Sequence, residues 1–564
     1  MVVVAWAAWC ALSLARAAGA VRRGSDAIDH VRSELKPEQL TSETAVPPLQ
    51  TAESEFGRAH SLTSSVALAP LRLLPFVGRQ VRSVDALSAA AQRVSRVGID
   101  AIQQAKPILA ASGTTPEARL ALLRRLAVVA DQANAQLKKV NLGPSKGLIG
   151  PLSSRRRQFS TDLTRAVNGL SQAGAATHAM IDLLGTPRTY LLLAANNAEM
   201  RDGSGMFLEA GAIMTDGNGK FTLGSIGSTA DLLLPPPGVP MFGDLAARWG
   251  FLHPNQEWRN LGLTPRFEPN AELASRMWPA KTGQHVDGVL AMDVGALQSV
   301  LGVTGPVNAG GTTVSAATVE QFLLHDQYQS VPANDTDAEA QRREKLGALA
   351  FATLDAVENA HVSLVKLAPA LAQAAAGRHI LAWSATPAVE QNWADAGAAG
   401  RLTPSDLLLG ISNRGGNKLD PFLAVSAKLT LKPDATGTDV EVAVTMANTM
   451  PPGLPTYVTG LGTKDAAPGE YEGFVTLNFP ARAGNDSMVG NPPAVAAGPD
   501  GPFSLVLSTQ VVVKPGASGQ VTFRFRLAGR HGTLTVQPSA RIPPTNWQAP
   551  KQTFTDATSH SVSW

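Results

Sequence analysis

The sequence predicts an α+β multidomain protein: an N-terminal membrane helix and helical stalk, a central mixed α/β domain and a C-terminal β-sandwich. Three observations predict it. The chain opens on an apolar run; apolar residues then recur every three or four positions as far as residue 184; and short β-rich runs separated by Gly, Pro, Asn and Asp fill the last third. With 564 residues there is room for several cores, at about 100–200 residues per domain. Charged residues make up 16% of the chain, and Gly (51) and Pro (39) are abundant. That composition fits a loop-rich globular protein. A formal net charge of +3 is too small to make a polyanion-binding surface the default, so no nucleic acid is expected as a partner.

The opening run, Val2 to Val21, is interrupted only by Ser13 and Arg16. About 20 apolar residues suffice to span a bilayer, and an arginine near one end can snorkel to the interface. A cleavable signal ending near Ala18-Gly19-Ala20 and a buried N-terminal helix are the competing readings. Arg22 and Arg23 follow the run, and the positive-inside rule would hold that side in the cytoplasm. An extracytoplasmic bulk then requires a basic leader ahead of the given start. The single cysteine, Cys10, lies inside the run, so no disulfide, thiolate ligand or cysteine nucleophile exists beyond it, as suits an exported chain. Residues 1–24 are therefore expected to be a membrane anchor or signal segment. The protein is expected at the cell membrane, single-pass, with its bulk extracytoplasmic.

Residues 25–185 are expected to form the helical stalk. Val77, Val81, Val84, Leu87, Ala91, Val94 and Gly98 share one helical face, and similar stripes follow from Leu123 and Phe159. At Thr186 the period changes. Residues 190–195 read as a buried strand, residues 206–215 and 220–225 as a hairpin around Asp216-Gly217-Asn218-Gly219, and residues 286–293 and 380–384 as further strands among helices. This defines the central domain, 186–412. Residues 413–564 read as a β-sandwich of roughly seven strands.

The common nucleotide-binding, metalloprotease and serine-hydrolase signatures are absent. What remains is a polar cluster at the end of an apolar strand: Asn196, Asn197, Glu199, Arg201 and Asp202, followed by Gly203 and Gly205. Ligands of such sheets bind at the carboxyl ends of strands, where a guanidinium suits phosphate or carboxylate and glycines admit a close approach. The competing reading has the asparagines capping the turn and Glu199 paired with Arg201. A second cluster holds His325, Asp326, Tyr328, Arg342 and Arg343; adjacent helical arginines point about 100° apart, so at most one faces a given site. A third, Asn413, Asn417, Lys418 and Asp420, reads as a loop held by Asx-turns. Trp547 is a further candidate, for stacking on sugars.

Together these segments carry a resemblance. "YLLLAANNAEMRDGSG" (190–205) resembles the strand and N-N-A-E-L-R segment of the bacterial family called domain of unknown function 4012, and "VDGVLAMDVGALQSVLGVTGPV" (286–307) is similar to its V-D-G-V segment ending in T-G-P-V. "NRGGNKLD" (413–420) resembles an element of its actinobacterial members. Asp202-Gly203-Ser204-Gly205 departs from the usual A-T-G-G, and Val294 from the usual proline. The resemblance implies a membrane-anchored protein of the cell envelope that binds an anionic or glycan ligand or scaffolds envelope assembly. More distantly the core resembles the LytR-CpsA-Psr family, which implies a Mg²⁺-dependent transferase or pyrophosphatase acting on a polyprenyl diphosphate lipid and cell-wall glycan. On that analogy Arg201 and Arg342 or Arg343 clamp the diphosphate, and Glu199 or Asp231 holds Mg²⁺.

Overall fold

The computed structural model describes residues 2–34, 43–111, 115–329, 336–359 and 364–564. Two compact units divide the chain, Met1–Ile181 and Asp182–Trp564.

The first unit is helical: α1 (Val2–Glu34), α2 (Val46–Ser64), α3 (Ala69–Leu73), α4 (Val77–Ala110), α5 (Pro116–Lys138) and most of α6 (Gly150–Leu184). α1 buries Cys10, Ser13, Ala17 and Ala20, a three-and-four spacing that aligns small residues on one face and lets α2 approach closely. The Trp6 indole N–H donates to the Ala67 carbonyl at 2.9 Å, and Arg23 pairs with Glu55 at 2.8 Å. These contacts correct the expectation of a single-pass anchor at residues 1–24. Among the described residues no helix is long and apolar enough to cross a membrane. α1 instead continues through Arg22, Arg23, Asp26 and Asp29, and its small-residue face packs on α2.

α5 starts where the sequence chemistry directs. The Thr115 hydroxyl accepts from the Ala118 N–H at 3.2 Å, and Pro116 follows at the first helical position. α4 departs from its predicted stripe: Val81 and Ala91 are buried, Val77 is exposed, and Ser83, Ser88 and Ser95 are buried instead. α2 and α5 both pack on α4, so its covered surface is wider than a single apolar stripe.

The second unit begins with a six-stranded sheet built from β1 (Pro187–Met200), β2 (Gly205–Asp216), β3 (Phe221–Leu223), β4 (Gly227–Ser228), β5 (Gly288–Met292) and the strand Ile380–Ser384. Its order is β3-β2-β1-β5 and then Ile380–Ser384, with β4 on β2. β1 runs antiparallel to β2 and parallel to β5, with Tyr190 opposite Gly288. The apolar run at 190–193 is buried on both faces, as a continuous apolar strand requires. The predicted hairpin is present; the Asp216 carboxylate closes its turn by accepting from the N–H groups of Asn218 and Lys220 at 2.7 and 3.1 Å. Trp249, Trp258, Phe267 and Trp278 fill one core cluster with Leu191 and Leu193, Trp258 meeting Trp278 edge-on at 6.4 Å.

The C-terminal part is strand-rich. It forms two six-stranded sheets, one centred on Gly437–Asn448 and Leu423–Pro433, the other on Tyr471–Pro480 and Asp406–Asn413. That makes twelve strands where about seven were expected. The excess lies in the strand Asp406–Asn413, upstream of the expected start, and in short segments such as Gly484–Met488 and Gln552–Thr555 that lack an apolar alternation. Both sheets contribute to one core, with Phe479 stacked on Phe525 at 4.8 Å. Trp547 is 1% exposed and stacks on Phe554, which removes it from sugar binding.

Candidate functional site

The end of β1 is irregular, and the irregularity builds the site. Pairing with β2 breaks between Asn196 and Met200, so Asn197, Ala198 and Glu199 bow out of the ladder. Gly205 makes this possible, because a Cβ there would lie 2.5 Å from the Asn196 backbone. The predicted glycine role is thereby corrected: these glycines admit a neighbouring stretch of backbone. A second irregularity lies between Ala194 and Ala195, which pair with Glu209 and Phe207. Leu208 is thus an extra, unpaired residue, a β-bulge that re-aims its neighbours. In a regular strand Leu208 and Glu209 would point to opposite faces; here both line the same two cavities.

The first cavity is polar, with a volume of about 420 Å³, within the range typical of ligand sites. Arg201, Arg259, Arg414 and Lys418 reach it, against Glu199, Glu209 and Glu257. Arg201 is 3% exposed and donates to the carbonyls of Arg259 (2.8 Å), Met200 (3.0 Å) and Asn413 (2.6 Å). Burial, with the Arg414 charge adding to it, brings its pKa down to about 10. Burial also lowers Arg414, whose guanidinium donates to the Asn260 side chain at 2.9 Å and lies 5.6 Å over the Phe474 ring. Arg259 is held differently, in a two-pronged pair with Glu257 at 2.9 and 2.6 Å. Lys418 donates to Glu199 and sits 5.8 and 5.6 Å from the rings of Tyr328 and Tyr457. Burial lowers the Lys418 ammonium, but the Glu199 carboxylate and the two phenols outweigh it, and the net shift is upward. Two of the four cations therefore have a carboxylate partner, while Arg201 and Arg414 are held by neutral oxygens.

The second cavity is apolar, about 140 Å³, and lies against the same sheet; Leu192, Met292, Leu297, Leu323, Leu349 and Leu354 are among its walls. A cavity of this size and character accepts a group as large as benzene. A π-helical turn at Phe322–Asp326 brings Leu323 to it and carries the chain on to Tyr328, whose hydroxyl receives the Asn196 amide at 2.8 Å.

Of the residues singled out from sequence, Glu199 and Arg201 line the polar cavity, and Asn196 lines the apolar one. Asn197 is fully buried: its amide donates to Asp293 (2.8 Å) and the Ala540 carbonyl (2.9 Å), and its oxygen accepts from Val294 (3.1 Å). Glu199 pairs with Lys418 and not with Arg201. Asp231 is exposed on the turn after β4, and Asp326 is exposed and accepts from Gln321 at 2.7 Å; neither lines either of these two cavities. The side chains of Arg342 and Arg343 lie outside the described residues. Sequence reasoning missed Arg259 and Arg414 entirely and read Lys418 and Asn413 as parts of a loop. The motif N-R-G-G-N-K-L-D was the one available signal for the latter pair and for Arg414.

The Mg²⁺ implied by analogy does not fit this donor set. Glu199 already holds an ammonium, Asp231 is elsewhere, and four cations face the cavity. Among the described residues no group of three or more His, Cys, Asp or Glu is placed to hold a metal ion. No curated protein and no solved structure matches the chain, and the likeness to the LytR-CpsA-Psr family is not confirmed. Residues 186–328, which supply β1 to β5, the bulge at Leu208 and Tyr328, match the family model described as Protein of unknown function (DUF4012).

Proposed function

We propose that the chain binds an anionic amphiphile: a phosphate-class head in the polar cavity and the first apolar segment of its tail in the adjoining one. A polyprenyl diphosphate has this chemistry. The observation that carries the reading is the common wall, Leu208 and Glu209, between a cavity with four cations and an almost wholly apolar one. Arginine forks suit phosphate oxygens, and Arg201 and Arg414, with only neutral oxygens as partners, are the cations an incoming anion would satisfy. The apolar cavity holds far less than a full polyprenyl chain, so only the segment next to the head enters it.

Titration calorimetry of the full chain with geranyl diphosphate, pyrophosphate and geraniol tests the reading. Geranyl diphosphate is expected to bind at least tenfold more tightly than pyrophosphate, and geraniol not measurably. Arg414→Gln removes a charge-assisted contact worth about 1.5–3 kcal/mol, so roughly ten- to hundredfold weaker binding of both phosphates is expected. Absence of binding by either phosphate, or no change in Arg414→Gln, sinks the proposal.

Gly347 offers a cleaner probe of the tail site. It lines the apolar cavity, and a Cβ built on it meets nothing within 4 Å. Gly347→Leu is expected to fill the cavity without lowering the melting temperature, since the helix Thr336–Asn359 also gains from losing an interior glycine. Geranyl diphosphate should then bind no better than pyrophosphate, whose own affinity stays put. An undiminished preference for the geranyl compound would place the tail elsewhere.

A further inference from the structure

The helical unit carries an apolar surface that its own packing leaves open. Between α2 and α4 the chain turns through Val66–Val77, and there Val66 is 88% exposed, Leu73 85% and Phe76 62%, with Leu74 and Val77 also exposed. The turn is tightly closed on itself. Leu74 N–H donates to the Leu71 carbonyl (3.3 Å) and Gly78 N–H to the Leu74 carbonyl (2.9 Å). A Cβ at Gly78 would lie 2.2 Å from the Arg72 carbonyl oxygen. The backbone is thus committed, and these side chains have no core to enter. α1 brings more apolar surface to the same end: Trp6 is bonded to Ala67, and Trp9 and Leu12, one and two turns on, are exposed.

Along Phe56–Val84 the charge has one sign, and Asp85 just beyond that stretch is taken up by Arg72 and His60. From Phe56 to Val84 there is no Asp or Glu, while Arg58, Arg72, Arg79 and Arg82 are present. Arg72 is tied to Asp85, whereas the Arg82 guanidinium donates to the Arg72 carbonyl at the base of the turn, and Arg58, Arg79 and Arg82 are exposed. Exposed apolar side chains rimmed by arginines are the composition of a surface that rests in the headgroup layer of an anionic bilayer. A second copy of the chain is a poorer occupant. Face-to-face contact would bring like charges together, and so few apolar side chains fall well short of the 20–30 residues a side of a stable protein interface.

We propose that the Val66–Val77 turn docks on an anionic lipid surface, its Leu and Phe side chains entering the acyl boundary and Arg79 and Arg82 meeting lipid phosphates. The contact lies on the bilayer and spans nothing.

Flotation of the full chain with equimolar phosphatidylglycerol–phosphatidylcholine vesicles, against phosphatidylcholine alone, tests this. At least tenfold greater uptake on the anionic vesicles is expected, falling as salt is raised. The double variant L73D/F76D should lose tenfold or more of that uptake while its circular dichroism and melting curve stay unchanged, because both side chains are exposed. R79Q/R82Q should bind less and with a flatter salt dependence. L73D/F76D should still bind geranyl diphosphate like the parent chain, which separates this surface from the phosphate cavity. Equal uptake by L73D/F76D, no uptake on either vesicle, or indifference to lipid charge overturns the proposal. So does concentration-dependent self-association that the same double variant abolishes, which would make the surface an interface between copies.

Discussion

Replacing Asp420 by alanine is expected to destabilise the chain by about 3–5 kcal/mol, the cost of orphaning a buried ion-pair partner. Asp420 and Arg541 are both 0% exposed and meet at 2.8 Å. The same carboxylate accepts from the Met200 N–H (3.0 Å), the Asn413 amide (2.9 Å) and the Tyr471 hydroxyl (3.1 Å). Arg541 donates further to the carbonyls of Asp420 and Leu423. Alanine at 420 leaves the guanidinium in a low-dielectric interior without its counter-charge and frees three donors at once. Urea denaturation should show a lower midpoint with an unchanged slope. The paired change D420N/R541M, which removes both charges, should recover a large part of the loss. A D420A variant within 1 kcal/mol of the parent would mean that the pair is not what holds this junction. Because Met200 and Asn413 flank the polar cavity, D420A should weaken phosphate binding as well.

Asp202→Asn is expected to act in the opposite direction, and only above neutral pH. Asp202 is fully buried beside Gly410, where a Cβ would collide with its carboxyl at 2.5 Å. Burial raises its pKa from 3.8 to about 7, against the pull of hydrogen bonds from Ser412 and Thr476 and the Arg201 charge. One oxygen accepts from Ser412 at 2.7 Å. The folded chain therefore holds this proton more tightly than the unfolded one. Its contribution is fully present below about pH 4 and is lost as pH rises towards about 7. A shift of three pH units corresponds to about 4 kcal/mol. Stability of the parent minus that of D202N should fall by an amount of this order between pH 4 and pH 8, with D202N the more stable at pH 8. Denaturation curves at pH 4, 6 and 8 decide it; parallel pH profiles for the two proteins would show that Asp202 is ionised in the fold.

Local pattern reached much of this architecture. The apolar run 190–195, the Asp216 turn and the segments 288–292 and 380–384 each announce themselves within a few residues, and they are strands of one sheet. The same strand end pointed to Glu199 and Arg201. Their partners were hidden because they come from far along the chain: Arg259 from a short turn near Trp258, and Arg414 and Lys418 from the loop after Asp406–Asn413. No periodicity links positions 60 or 200 residues apart. The opening helix misled for a related reason. Its run of small and apolar residues suggests lipid, yet Cys10, Ser13, Ala17 and Ala20 serve the close approach of α2. Asp231, in the short helical turn after β4, and Asp326, at the end of the π-helical turn, are both exposed.

The supernumerary residue at Leu208 has a consequence for comparing chains of this kind. Deleting it would restore strict alternation along β2 and leave Glu209 alone of the pair that forms the wall between the two chambers. Selectivity between plain anions and greasy ones would then be written in strand length and not in residue type, so counting residues between the Asn196-bearing strand and the glycine that opens β2's descent says less than counting those across its kink.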